Sequence, residues 1–222
     1  MILKNKSLTG FNILVSAGST WVSIDTVRVI TNIFKGKIGL TIAEAAAQHG
    51  ANVTLLLGPS MDVSSLKLPV NINVIRFKYF DELDLLMKNA LISQKFDAVV
   101  HSAAVSDFKL KKVHIGKIKS NTNNLILRLI PTKKIVDDIK KYAPNVFLIK
   151  FKLEVGVTVE KLTSIAFNSL QKSNADLIVA NIYDSKFTDH EAYIIDKQNI
   201  IEKATGKKKI AEKILRHIYE KT

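Results

Sequence analysis

Short apolar runs and longer amphipathic stretches alternate along most of this chain, and that alternation predicts its architecture. Residues 12–18, NILVSAG, form an apolar run ending in glycine, as a buried strand does. Residues 36–51 carry apolar positions at helical spacing and close on Gly50, a C-cap residue. A second apolar run follows at residues 52–58, completing a βαβ unit and implying a parallel sheet. Residues 71–77 read as a third strand, and residues 80–92 as a helix with Asp81 as N-cap. Residues 96–108 bring a fourth strand into a loop of small residues. The rhythm then changes. Residues 113–130 alternate about an Asn-rich turn, the pattern of a hairpin and not of another βα unit. A helix over 132–144, capped by Thr132, a strand over 145–154, a helix over 157–175 and a strand over 176–181 resume the earlier order. A second hairpin over 191–204 turns at residues 196–199, and an amphipathic helix over 206–222 closes the chain. The expected fold is one α/β domain over residues 1–222. It is a doubly wound, mainly parallel, Rossmann-like sheet with an inserted β-hairpin flap at about residues 111–130. In such sheets ligands bind outside the carboxyl ends of the strands.

Composition narrows the function without choosing it. Apolar residues make up 47% of the 222, enough for a sizeable core. No apolar run approaches the roughly 18 residues of a membrane span. The first ten residues lack the apolar stretch of a secretory leader. No cysteine is present, which excludes disulfides, thiolate metal sites and a protein cysteine nucleophile. A cytoplasmic location is the simplest expectation. The net charge of +13 favours anionic partners such as nucleotides and phosphorylated metabolites. Only four of the 33 cationic side chains are arginine, and the lysines are scattered, so most of them read as solvated surface. A nucleic-acid-binding reading follows from the charge alone. Aromatic content of 7%, with no basic and aromatic interleaving, weighs against it.

Candidate chemistry clusters at the predicted strand ends. Gly18, Ser19 and Thr20 follow the first strand and offer a close backbone approach and hydroxyl donors to a phosphate. The next twenty or so residues delay the helix and supply Arg28, Asn32, Lys35 and Lys37. Neither GxGxxG nor GxxxxGK[ST] is present. After the fourth strand, Ala103 and Ala104 permit close contact with a ligand, and Asp107 suits a ribose hydroxyl or Mg2+. His101 reads as packed. In the flap, Lys117 and Lys119 alternate with Ile118 and so share a strand face. Tyr193 and Lys197 have the Tyr-x-x-x-Lys spacing of an NAD(P)-dependent reductase, an alternative on this fold. That pair needs a helix, and here the segment reads as strand and turn. The candidates together place cations and a carboxylate at neighbouring sheet ends, the layout of an enzyme working by positioning and charge neutralisation.

In this order the motifs resemble those of the phosphopantothenoylcysteine synthetases. The family's Ala-Gly-Gly-Thr, Ile-Asp-x-Val-Arg-x-Ile-Thr/Ser-Asn and Ser-Gly-x-x-Gly correspond to AGSTWVSIDTVRVITNIFKGKIG at residues 17–39. Its Ala-Ala-Val-Ser/Ala-Asp-Phe/Tyr, Lys-Ile-Lys, Phe-Lys-Leu-Glu and Ala-Asp-Leu-Ile-Val-Ala-Asn correspond to AAVSDF, KIKS, FKLE and ADLIVAN. The matches run in family order from residue 13 to about residue 214. The resemblance implies a ligase that activates the carboxylate of 4′-phosphopantothenate with CTP or ATP and Mg2+, then joins it to cysteine. It implies that Gly18, Ser19 and Thr20 line the nucleotide phosphates. Asn32 would contact the pantothenate amide end, and Arg28 the substrate phosphate across a homodimer interface. Ala103, Ala104 and Asp107 would hold substrate and ribose. Lys117 would be the catalytic lysine of the flap, Phe151 a neighbour of the base, and Lys207 a contact of the triphosphate. Fused relatives carry a flavin-dependent decarboxylase before this region. The present chain starts at the synthetase strand and resembles the standalone type, so no flavin is expected. CTP is usual in bacterial members and ATP in eukaryotic ones. The chain departs from the family pattern at Ser19, at Trp21 and Val22, and at Phe34 and Lys35, where small hydroxyl residues are usual.

Overall fold

The computed structural model describes residues 7–64, 66–120, 124–184 and 190–221. The first strand, β1 (Asn12–Ala17), is followed by a short pair, β2 (Trp21–Ser23) and β3 (Val29–Thr31), before helix α1 (Lys37–Gln48). Strands β4 (Asn52–Leu57) and β5 (Ile72–Arg76) precede α2 (Phe80–Ser93), and β6 (Ala98–His101) leads into β7 (Phe108–Leu110). Beyond the flap lie β8 (Leu129–Pro131), α3 (Val136–Tyr142), β9 (Phe147–Glu154), α4 (Val159–Lys172) and β10 (Leu177–Ile182). The chain ends with β11 (Glu191–Asp196), β12 (Ile201–Thr205) and α5 (Lys207–Lys221).

Eight strands form one sheet in the order β12-β11-β10-β9-β6-β1-β4-β5. The β5 to β10 part is parallel, and β11 and β12 add an antiparallel hairpin at one edge. The predicted doubly wound, mainly parallel fold is therefore present. Strand order reverses between β1 and β6, so the crevice for ligands is expected at their carboxyl ends. Alternation along β1 divides the core. Ile13, Val15 and Ala17 pack with Leu40, Ala43 and Ala46 of α1 and Ile210, Ile214 and Ile218 of α5. Leu14 faces the other layer, with Leu83 and Met87 of α2, Ile139 of α3 and Leu162 and Ala166 of α4. The second hairpin turns as expected: the Asp196 carboxylate accepts the N–H of Gln198 and Ile200, each at 2.9 Å.

Three local expectations are corrected. Asp81 is not the cap of α2. The helix begins at Phe80 with Tyr79 as its N-cap residue, and the Glu82 carboxylate accepts the N–H groups of Lys78 (2.6 Å) and Tyr79 (3.3 Å). Thr132 does not cap α3, which starts at Val136. Pairing of β8 with β7 draws Thr132 to the sheet end, where its N–H donates to the Asp107 carbonyl and its hydroxyl to that of Ser106. The flap is not the alternating hairpin expected over 113–130. Its ladder is confined to β7 and β8 at the base, and residues 111–120 form no strand. Its apolar side chains have no sheet face to bury; Ile115 is 96% exposed. The polar groups of the 114–118 backbone bond to the turn at 24–28 instead of to the returning arm. Part of the expected Asn-rich turn, residues 121–123, lies outside the described residues.

Candidate active site

The delayed helix has a geometric reason. The chain leaves β1 through Gly18, whose φ of +85° is a left-handed conformation. It builds the β2–β3 ladder and then returns so that Gly36, at φ +79°, ends the loop against the same turn. A Cβ on Gly36 would lie 2.2 Å from the Gly18 nitrogen, so the two backbones can touch only as glycine. Helix α1 starts there with no acidic residue in its first turn. Its free N–H groups and positive dipole end therefore sit directly beside the β1 turn.

The residues expected around this turn converge on one another. Ser19 is fully buried; its hydroxyl donates to the carbonyls of Phe34 and Asn32, the latter at 3.2 Å. Thr20 is also buried, and its hydroxyl accepts the Ser106 N–H at 2.9 Å. Both hydroxyls thus bind loop to loop. Asn32 donates from its amide to the Ala104 carbonyl at 3.0 Å, and the Ala104 N–H donates to the Gly18 carbonyl at 2.8 Å. Gly18, Ser19, Thr20, Asn32 and the adjacent Ala103 and Ala104 form one hydrogen-bonded rim at the ends of β1 and β6.

The remaining candidates stand on other elements of the fold. Lys37 begins α1 and Lys207 begins α5. Burial, and then the nearby Lys37 charge, lower the pKa of Lys207. A neighbouring anion would relieve that cost on Lys207. Asp107 is exposed and ion-paired with Lys134 at 2.5 Å. Phe151 is half-buried in β9. Lys117 is exposed on the flap. Arg28 donates to Asp25 at 2.6 Å and to the Ile118 carbonyl at 3.3 and 3.4 Å, all within one chain.

Two features were missed in the sequence. Asp25, inside the Ile-Asp-x-Val-Arg motif, is a buried carboxylate at the centre of the Arg28 turn. Phe34, which replaces a small hydroxyl residue, packs edge-on against Tyr183 beyond β10, with centroids 5.4 Å apart. Nothing in a single sequence signals that long-range pair. The packed reading of His101 holds. It is buried, lies 2.9 Å from the Ser16 hydroxyl, and burial followed by the Lys150 charge lowers its pKa to about 4. Tyr193 and Lys197 bind separate carboxylates, Glu191 and Asp176, so they form no reductase dyad.

A glycine-lined β1–α1 turn at a strand-order reversal defines the class: a doubly wound α/β domain. Within that class the chain belongs to the DNA/pantothenate metabolism flavoprotein C-terminal domain family, whose model matches residues 8–221. It is 37% identical over 214 residues to the coenzyme A biosynthesis bifunctional protein CoaBC of Thermococcus kodakarensis, covering 96% of this chain and 52% of that protein. The chain spans about half the length of the curated relatives it matches. Among solved structures, a DNA/pantothenate metabolism flavoprotein from Streptococcus pneumoniae is similar with a TM-score of 0.84 and 30% identity, over 96% of this chain and 100% of that one. The C-terminal domain of a CoaBC protein is similar with a TM-score of 0.74 and 28% identity, over 96% of each chain.

Proposed function

We propose that this chain is a phosphopantothenate–cysteine ligase of coenzyme A biosynthesis. The observation that carries the reading is the bonded rim of Gly18, Ser19, Thr20, Asn32 and Ala104, in which the family's motifs meet at the strand-order reversal. In this reading the carboxylate of 4′-phosphopantothenate attacks the α-phosphate of CTP or ATP. An acyl-nucleotide forms and pyrophosphate leaves. The amine of cysteine then attacks the acyl carbon and expels the nucleotide.

Each side chain has a part in that sequence. The Gly18 turn and the α1 terminus receive the phosphates, with Lys207 and Lys37 neutralising them. Asn32 holds the amide end of the substrate, and Ala103, Ala104 and Asp107 border substrate and ribose. Phe151 flanks the base. Lys117 offsets charge that builds on the α-phosphate, a role typically contributing about 10²–10³ in rate. Arg28 serves the substrate phosphate of a neighbouring subunit in a homodimer. Among the described residues no three His, Asp or Glu side chains converge as a metal cluster, and Asp107 is already ion-paired. Mg2+ is commonly held by one or two carboxylates together with nucleotide phosphates, so the ion would come with the nucleotide. Among the described residues no helix is long and apolar enough to cross a membrane. The compartment proposed is the cytoplasm.

The test is pyrophosphate release with 4′-phosphopantothenate, Mg2+ and CTP or ATP, with and without cysteine, beside Lys117→Gln. Release that requires phosphopantothenate and falls at least about 100-fold in the variant is expected. Folded protein that releases none with either nucleotide refutes the ligase reading.

A further inference from the structure

The turn at residues 24–28 does more than carry Arg28. Asp25 is 3% exposed, yet every contact of its carboxylate is made. One oxygen accepts the N–H groups of Val27 and Arg28, each at 2.8 Å. The other accepts the Arg28 guanidinium at 2.6 Å and, 93 residues away, the flap N–H of Ile118 at 3.1 Å. Burial raises the cost of that charge. The Val27, Ile118 and Arg28 amides and the Arg28 charge outweigh it and hold the pKa at about 2. The guanidinium then closes the ring by donating to the carbonyl of the same Ile118. Neighbouring backbone bonds extend the seam. The Thr26 N–H donates to the Gly116 carbonyl at 3.3 Å, the Gly116 N–H to the Thr26 hydroxyl at 3.1 Å, and the His114 N–H to the Ile24 carbonyl at 3.1 Å.

Lys117 lies between the two flap residues this turn grips. Residues 111–120 form no strand whose ladder would fix the register of Lys117. We propose that Asp25 is a positioning residue that holds Arg28 and the Lys117 segment of the flap as one unit, so that both cations reach the anionic substrates in a fixed relation. The inference rests on the ligase reading for its kinetic part only. Buried, charge-assisted hydrogen bonds are strong, and removing one partner leaves the other unpaired. An asparagine at position 25 keeps the shape but loses the charge that Arg28 answers.

The experiment compares wild type, Asp25→Asn, Lys117→Gln and the double variant. Hydrogen exchange at the Ile118 amide should quicken at least about tenfold in Asp25→Asn, as expected for the loss of one or more buried bonds. The kcat for pyrophosphate release should fall at least about tenfold, and KM for 4′-phosphopantothenate should rise because Arg28 is misaimed. A variant that merely lost folded protein would lower kcat and leave KM unchanged. In the Lys117→Gln background, Asp25→Asn should lower kcat little further, since residues acting as a unit are not additive. Unchanged Ile118 exchange overturns the proposal, and so does a full multiplicative loss in the double variant. If wild type releases no pyrophosphate, the ligase reading fails while the exchange result still decides the clamp. Should Asp25→Asn not fold, Thr26→Val cuts the adjacent tether from an exposed position. Faster Gly116 exchange with a several-fold lower kcat then supports the clamp, and neither change overturns it.

Discussion

A lysine at position 150 inside the sheet makes the most quantitative claim on this fold. Lys150 is 7% exposed, and its ammonium donates to the Ser169 carbonyl at 3.1 Å and the Ser173 hydroxyl at 3.0 Å. Burial lowers its pKa to about 8, against an ordinary 10.5. Attraction to Asp137 offsets part of that shift. Between pH 8 and 10.5 the unfolded chain holds this proton and the folded chain does not, so stability rises with pH across that window. Below pH 8 the whole cost is present, up to about 3 kcal/mol at 1.36 kcal/mol per pH unit. Lys150→Met removes that cost but also two hydrogen bonds worth about 1 kcal/mol each. At pH 7 the variant should therefore be about 1 kcal/mol more stable than wild type. Near pH 10.5 it should be about 2 kcal/mol less stable, because only the lost bonds remain. Urea unfolding of both proteins from pH 7 to 10.5 reads the difference directly, since other titrating groups are common to both. A stability difference that stays constant over that range would show that burial does not lower the Lys150 pKa, and the reasoning would fail.

Two further outcomes follow from the same core and from the turn. His101, held at a pKa of about 4 by burial and by Lys150, stays neutral while the unfolded chain takes up a proton near pH 6.5. Wild type should therefore lose up to about 3 kcal/mol relative to His101→Leu as pH falls from 6.5 to 4, measured by urea unfolding of both. Gly36→Ala places a Cβ 2.2 Å from the Gly18 nitrogen at φ +79°. It should cost at least about 2 kcal/mol and lower the melting temperature by several degrees; an unchanged melt would mean that the β1 and α1 backbones do not meet as described.

The parallel sheet was legible because it is written in local periods. The apolar runs at β1, β4 and β6 and the helical spacing in α1, α4 and α5 each need only neighbouring residues to be recognised. The edge hairpin was legible for the same reason, since Asp196 signals its turn locally. The flap misled because alternation of Lys and Ile signals a strand only where a sheet face exists to bury the apolar side. Here the segment found its hydrogen bonds across 93 residues, on the Asp25 turn, and no period reports that. Thr132 and Asp81 misled at the next level down. Both are good capping residues, but a competing β7–β8 pairing and the Glu82 carboxylate took the positions.

The residues that depart from the family pattern are the instructive part of the site. Ser19 stands where a second glycine is usual, and Phe34 where a small hydroxyl is usual. The structure joins the two: the Ser19 hydroxyl donates to the Phe34 carbonyl, and the Phe34 ring leans on Tyr183 at the far side of the crevice. Each change has its own anchor: main-chain carbonyls, which position 34 would offer with any side chain, accept the Ser19 hydroxyl, and Tyr183 meets the Phe34 ring. Together they fasten the returning loop from both ends, through its backbone at β1 and through its side chain beside β10. Sequence reading could register them only as two separate irregularities, because the contact that makes them one arrangement exists only after the 17–39 stretch has looped back onto its own start.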